Sequence, residues 1–205
     1  KAHRVLSDGA VFLDHTSLSK ADLEWLSPVE RLTLWNVRVA PGLLSCLPRL
    51  WWLDWRGGGA TQGLDQIEDC GSLRYLSLNQ IRGLGELAFV KNLISLEMVN
   101  LYGLASVTEL PSFRSLHSLK RVQIGQMKAL TSIGPAIEAP NLEELQLHNL
   151  VRVTAADLQA LKMHRALRAF EWFGENIPDR MWVPVRDALS LPKTRPLHPE
   201  EWFGV

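Results

Sequence analysis

The chain has 205 residues, 46% hydrophobic and 21% charged, ordinary proportions for a globular protein with one sizeable core or two small domains. Lys and Arg number 22 and Asp and Glu 22, so no basic field exists to hold phosphate backbones or anionic lipid, and nucleic-acid and membrane-surface partners are not expected. No stretch approaches the roughly 20 unbroken apolar residues of a membrane span.

The opening residues, Lys1 to Ala10, lack the apolar core of a secretory signal, although the chain does not begin with Met and so leaves a processed leader open. Val11 and Leu13 form a weak first copy of a pattern that strengthens downstream. Ser19-Lys-Ala-Asp22 reads as a capping box, Ser19 at the N-cap and Asp22 at the third helical position, with Leu18 placed to staple onto Leu23. A short helix near 20–26 follows, ended by Pro28.

From Val29 onward the pattern apolar-x-x-apolar-x-apolar governs the chain. It occurs as Val29–Leu32–Leu34, Leu50–Leu53–Trp55, Leu73–Leu76–Leu78, Leu93–Leu96–Met98, Leu119–Val122–Ile124, Leu142–Leu145–Leu147 and Leu167–Phe170–Trp172. The middle members are spaced by 21, 23, 20, 26, 23 and 25 residues. Within each copy the last two apolar residues flank an outward one, which is strand behaviour. One such strand cannot bury its apolar side alone; stacking successive copies gives a parallel sheet whose return segments cross on the other side. Seven or eight strands at about 4.8 Å make a sheet roughly 35 Å across. Amphipathic helices would also carry many leucines, but the 3-then-2 spacing recurs and Gly and Pro interrupt every candidate helix.

On the return side, Pro41 suits the first turn of a short helix, and Thr154-Ala-Ala-Asp157 repeats the capping box, with Val153 stapling onto Leu158. Beyond 175 the pattern stops. Asp179 to Leu191, with Pro184 near its start, suggests a brief helix and then a Pro-rich tail, and Trp182, Trp202 and Phe203 are expected to cover the open face of the last copy. The organisation is one domain over 1–205: a cap with a short helix over 1–28, about seven repeats over 29–175, and a second cap and tail over 176–205.

The stretches Leu93-Ile-Ser-Leu96-Glu-Met98-Val-Asn-Leu101-Tyr-Gly-Leu104 and Leu142-Glu-Glu-Leu145-Gln-Leu147-His-Asn-Leu150 resemble leucine-rich repeats, and the resemblance covers roughly 29–175. It implies an α/β solenoid with a curved parallel sheet on the concave face and short helices, 3₁₀ turns and loops on the convex face. Members of that family commonly place Asn or Cys three residues after the last sheet leucine. This chain has Val37, Gly58, Ile81, Leu101, Met127 and Leu150 there, which implies loops held by packing and a less uniform curvature. The return segment Leu110-Pro-Ser-Phe113-Arg-Ser-Leu116 is similar to those of irregular repeat families used in recognition.

No enzyme signature accompanies the repeats: there is no Gly-x-x-x-x-Gly-Lys loop, no Gly-x-Ser-x-Gly elbow and no His-Glu-x-x-His. Gly57-Gly58-Gly59 reads as a wide turn, and the six histidines are scattered without paired metal spacing, so neither metal nor cofactor is expected. Cys46 and Cys70 fall at nearly equivalent points of adjacent copies and read as two buried free thiols; so few cysteines in a chain of this size suggest a reduced, cytoplasmic setting.

The informative positions are those that alternate with the sheet leucines and line the concave face. The front copies place Trp35, Trp52 and Tyr75 there, with Arg31, Asp54 and Arg56 beside them, a composition suited to a binding hot spot. Cross-strand packing of the same rings, at roughly 0.2–1 kcal/mol per pair, is the structural alternative. The rear copies add Glu97, Glu144 and Glu171, an acidic half, with His148 at the rim. The expected function is non-catalytic binding of a protein partner, with no small-molecule substrate. Two alternatives are an immunity or inhibitor protein whose acidic rear suits a basic toxin or enzyme, and a substrate-recognition fragment of a larger enzyme such as a ubiquitin ligase.

Overall fold

A computed structural model describes residues 3–5, 8–59, 64–196 and 198–205. Lys1, Ala2, Leu6 and Ser7, part of the stretch read above for a secretory signal, lie outside the described residues. In chain order the elements are β1 (His3–Val5), β2 (Ala10–Asp14), β3 (Ser17–Leu18), α1 (Leu23–Leu26), β4 (Arg31–Trp35), β5 (Arg38–Val39), β6 (Trp52–Arg56), β7 (Tyr75–Asn79) and β8 (Met98–Tyr102). Then come β9 (Arg121–Gly125), α2 (Gly134–Ile137), β10 (Glu144–His148), α3 (Ala155–Met163), β11 (Ala169–Phe173), α4 (Asp179–Leu189) and α5 (Pro199–Phe203).

Nine strands form one sheet in the order β1-β2-β4-β6-β7-β8-β9-β10-β11. β1 is antiparallel to β2, and every later neighbour is parallel. Two apolar ladders run through it. Val11, Leu32, Leu53, Leu76, Val99, Val122, Leu145 and Phe170 lie side by side, as do Leu13, Leu34, Trp55, Leu78, Leu101, Ile124, Leu147 and Trp172, and all are buried. Because the side-chain period of a strand is two, both ladders face the same core, and each buried side chain contributes roughly 1.5–3 kcal/mol. The weak first copy is therefore a full strand, and the segment read as a cap supplies β2 to the sheet.

The fourth copy has a different frame from the expected one. Val99 and Leu101 occupy the ladders, and Leu96 stands in the place of Leu73 and Leu119, so the copy is Leu96–Val99–Leu101. The spacing from Leu32 onward then becomes 21, 23, 23, 23, 23 and 25. Glu97 lies before β8, and Met98, Asn100 and Tyr102 are the outward residues. The apolar residue three beyond the ladder in this copy is Leu104, which is buried like Val37, Ile81 and Met127.

Strands β2, β4 and β6 to β10 each end at a left-handed corner. His15, Asn36, Gly57, Gln80, Gly103, Gln126 and Asn149 stand at equivalent places with φ between 45° and 67°. Each donates its backbone N–H to the carbonyl of the last residue of the following strand, at 2.7–2.9 Å. Glycine adopts this conformation freely, and Asn and His are the side chains that accept it most readily. At Gly103 a Cβ would also come 2.8 Å from Gln80 Cγ. The glycine run turns as expected, with positive φ at Gly57 and Gly58.

The return side carries 3₁₀ turns at Leu44–Cys46, Asp65–Asp69 and Ala88–Asn92, then α2 and α3. Pro41 opens a turn ahead of the first of these, not a helix. Both capping boxes form. Ser19 donates its N–H to Asp22 Oδ2 at 2.9 Å ahead of a 3₁₀ turn and α1. Thr154 N–H donates to Asp157 Oδ2 at 2.8 Å, and Asp157 N–H donates to Thr154 Oγ1 at 3.1 Å. Cys70 is a buried free thiol and Cys46 an exposed one, so only the former packs as a small apolar group. No helix of the described residues is long and apolar enough to cross a membrane.

Candidate functional site

The outward residues of the sheet form three rows, and the chain itself covers one of them. After α4, Ser190 takes a left-handed conformation, and residues 192–196 and 198–205, the strap, lie from β11 to β6 over the first residues of the strands. Phe170 N–H donates to the Pro192 carbonyl at 3.0 Å, which protects the edge of β11. Gln146 Nε2 donates to Thr194 Oγ1 at 2.5 Å, and Thr194 Oγ1 donates to Glu171 Oε2 at 2.9 Å. Arg195 Nε donates to Glu144 Oε1 at 2.5 Å, and Arg121 Nη2 donates to the Arg195 carbonyl at 3.2 Å. The guanidinium of Arg195 lies 4.3 Å from the ring centroid of Trp202, and that of Arg121 lies 5.5 Å from it. Phe203 lies with its centroid 5.3, 6.0 and 6.1 Å from those of Trp51, Trp52 and Tyr75.

This path corrects several expectations. Trp52 and Tyr75 do alternate outward and pack on each other, tilted, with centroids 4.0 Å apart, but they are 5% and 2% exposed, sealed with Met98 beneath Trp202 and Phe203. Burial pushes the Tyr75 hydroxyl above its ordinary pKa. Of the three aromatics expected to plug the last repeat, only Trp182 does so: its indole lies against Gly174, where a Cβ would come within 2.6 Å of it. The acidic rear is neutralised within the fold. Glu97 accepts from Arg74 Nε at 2.6 Å, Glu144 is buried between Arg121 and Arg195, and Glu171 takes Thr194 with Lys193 Nζ at 3.9 Å. Asp54 is buried too, accepting from Arg56 Nε at 2.8 Å, and this hydrogen bond raises the Arg56 pKa. Arg31 is half-buried and paired with Asp8.

The third row, at the other end of the strands, stays open. It runs Asp14, Trp35, Arg56, Asn79, Tyr102, Gly125, His148 and Phe173, one residue per strand. Trp35 is 45% exposed and Phe173 37%, and the Arg56 side chain is 46% exposed. Gly125 leaves room for the Tyr102 ring, since a Cβ there would meet it at 2.5 Å. His148 and Phe173 stack at 4.8 Å with 16° between their planes, and burial lowers the His148 pKa. At the Trp35 end the row meets an open cleft of about 420 Å³ that also includes Gly57, Gln80 and Arg82. At the Phe173 end it meets a groove of about 1030 Å³ beside α4, lined by Glu171, Trp182, Arg186 and Lys193. Of the residues singled out from sequence, Trp35, Arg56 and His148 therefore share one accessible band; Tyr102 joins it through the corrected frame of the fourth copy, and Phe173 through ordinary strand alternation.

No protein-family model matches the chain, and no curated protein matches it in sequence. Among solved structures, an internalin (InlF) from Listeria monocytogenes matches with a TM-score of 0.54 at 15% identity, over 90% of this chain and 58% of the internalin. The chain thus spans a little over half the length of that structure. At such identity the likeness is one of fold, and it agrees with the ladders and corners described above: the chain has the leucine-rich-repeat fold.

Proposed function

We propose that the chain is a non-catalytic protein-interaction module that holds a protein partner against the open band of its sheet, from Trp35 through Arg56, Tyr102 and His148 to Phe173. The observation that carries this reading is the band's composition and setting. Exposed aromatic rings and an arginine lie in one row of a hydrogen-bonded sheet, whose backbone is already ordered when a partner settles on it. Aromatic and arginine anchors of this kind supply most of the energy of interfaces. The clefts at both ends give a partner concave footing beyond the flat row.

The test immobilises the 205-residue chain, captures proteins from a source extract, and compares three forms: native, Trp35→Ala with Phe173→Ala, and Met163→Ala on α3, where the residue is 72% exposed. A protein retained by the native and Met163→Ala forms and lost from the band variant supports the reading. Equal retention by all three removes the band from it.

A further inference from the structure

The strap is held to the sheet mainly through its side chains. Among the described residues it shares a single backbone hydrogen bond with the sheet, the one from Phe170 to Pro192, and the rest of its hold is side-chain chemistry. Its floor presents that chemistry in a fixed order. Glu171 and Glu144 come first and take Thr194, Lys193 and Arg195. Arg121 follows, under Trp202. Met98, Tyr75 and Trp52 come last, roofed by Phe203.

The floor carries groups that a surface made only for internal packing would not. Arg121 is 1% exposed and Glu144 4%, and a buried ion pair stabilises a fold poorly compared with apolar residues of the same volume. The pair is also loosely made: Arg121 Nη1 and Glu144 Oε2 stand 3.7 Å apart, and these two atoms and Arg121 Nε have no hydrogen-bond partner. Burial accordingly holds the Arg121 guanidinium below its ordinary pKa. The cover itself is an economical ligand, since Pro192 and Pro196 restrict its backbone in advance and Pro199 opens the short helix α5 that carries Trp202 and Phe203.

We propose that the first row of the sheet, with Glu171 beside it, is a groove for a segment bearing a basic residue and, some seven positions later, two adjacent aromatic residues on a short helical turn; residues 192–196 and 198–205 are the chain's own occupant, and a partner protein's segment of the same chemistry displaces them. Glu144 and Glu171 select the cation, and Trp51, Trp52, Tyr75 and Met98 select the rings. The groove and the open band are separate rows, so the failure of either reading leaves the other standing.

The experiment uses a synthetic peptide of residues 190–205. It is titrated, with a fluorescent label, into the full native chain and into the full chain carrying Trp202→Ala and Phe203→Ala. Freeing the groove removes the competition, so the variant is expected to bind the peptide roughly tenfold or more tightly than the native chain does. Adding Glu144→Gln to the variant, or Arg195→Ala to the peptide, is expected to reverse that gain. A folded variant that binds no better than the native chain overturns the proposal. Should the variant not fold, the native chain decides alone: with a nitroxide-labelled peptide in excess, the Met98 methyl resonance broadens and that of Met163, on α3, does not. Equal behaviour of the two methyls overturns the proposal.

Discussion

Arg195 and Glu144, 51 residues apart in sequence, meet through an Nε–Oε1 hydrogen bond of 2.5 Å, and the same carboxyl faces the buried guanidinium of Arg121. The three groups differ in what their loss leaves behind. Removing Glu144 strands Arg121 in a site 1% exposed, so Glu144→Ala is expected to lower unfolding free energy by about 3–5 kcal/mol. Arg195 is half exposed, and Arg195→Ala is expected to cost about 1 kcal/mol or less. Combining Glu144→Ala with Arg121→Met should recover most of the first loss. Urea unfolding of the four forms checks this; a double variant as unstable as Glu144→Ala alone would show that Arg121 is not the stranded group.

Asp157 joins two repeats. Besides closing its own capping box it accepts from Ser132 Oγ at 2.6 Å and from Ile133 N–H at 3.4 Å, while only 2% exposed. Losing the cap costs about 1 kcal/mol, and each hydrogen bond to a charged group about 1.5–3 kcal/mol, partly offset by relaxation. Asp157→Ala is therefore expected to destabilise by about 3 kcal/mol, and Thr154→Ala by about 1 kcal/mol. Thermal unfolding with equal losses for the two would confine Asp157 to its cap.

The two cysteines should be chemically distinct. Burial pushes the Cys70 thiol up to about 12, whereas Cys46 is exposed. At about pH 8 a maleimide is expected to label one thiol per native chain, at Cys46, and both in denaturant. Peptide mapping of the labelled chain reads this directly; comparable native labelling at Cys70 would contradict its burial.

His148 gives stability a pH dependence whose sign is fixed. Burial lowers its pKa from the ordinary 6.5, with Glu171 opposing, so as pH falls the unfolded chain takes up the proton first. The contribution of the neutral ring is whole above about pH 6.5 and is lost as pH drops toward the lower, folded-state value. Between about pH 7.5 and about pH 5.5 the melting temperature of the native chain should fall more than that of His148→Gln. Parallel slopes would assign the dependence to other groups.

Much of this architecture was legible because repetition multiplies a weak local signal. The alternation of Leu76-Ser77-Leu78 fixes which way Tyr75 points, and both capping boxes are written in four adjacent residues. Two things were not legible. Around Leu93 the chain is apolar at every position that either frame requires, so Leu93–Leu96–Met98 imitates the motif as well as Leu96–Val99–Leu101 does. The corner residues distinguish the frames, since Gly103 matches Gln80 and Gln126 only in the second. The burial of Trp52 was hidden for another reason: direction is a local property, but cover depends on pairings such as Arg195 with Glu144, which no period announces. The Asn signal sought three residues beyond the ladder lay one residue earlier, at Asn36 and Asn149, where it serves a left-handed turn.

Those corners have a consequence for how such a molecule tolerates change. Each strand's alignment with the next is settled by the ladder between them and by the backbone bonds at its start and at the corner, so the span on the far side has no vote in it. Loops there can lengthen or shorten while the sheet keeps step, as the uneven run from 21 to 25 residues already records. A single residue gained or lost between corner and strand would instead turn an entire rung inside out.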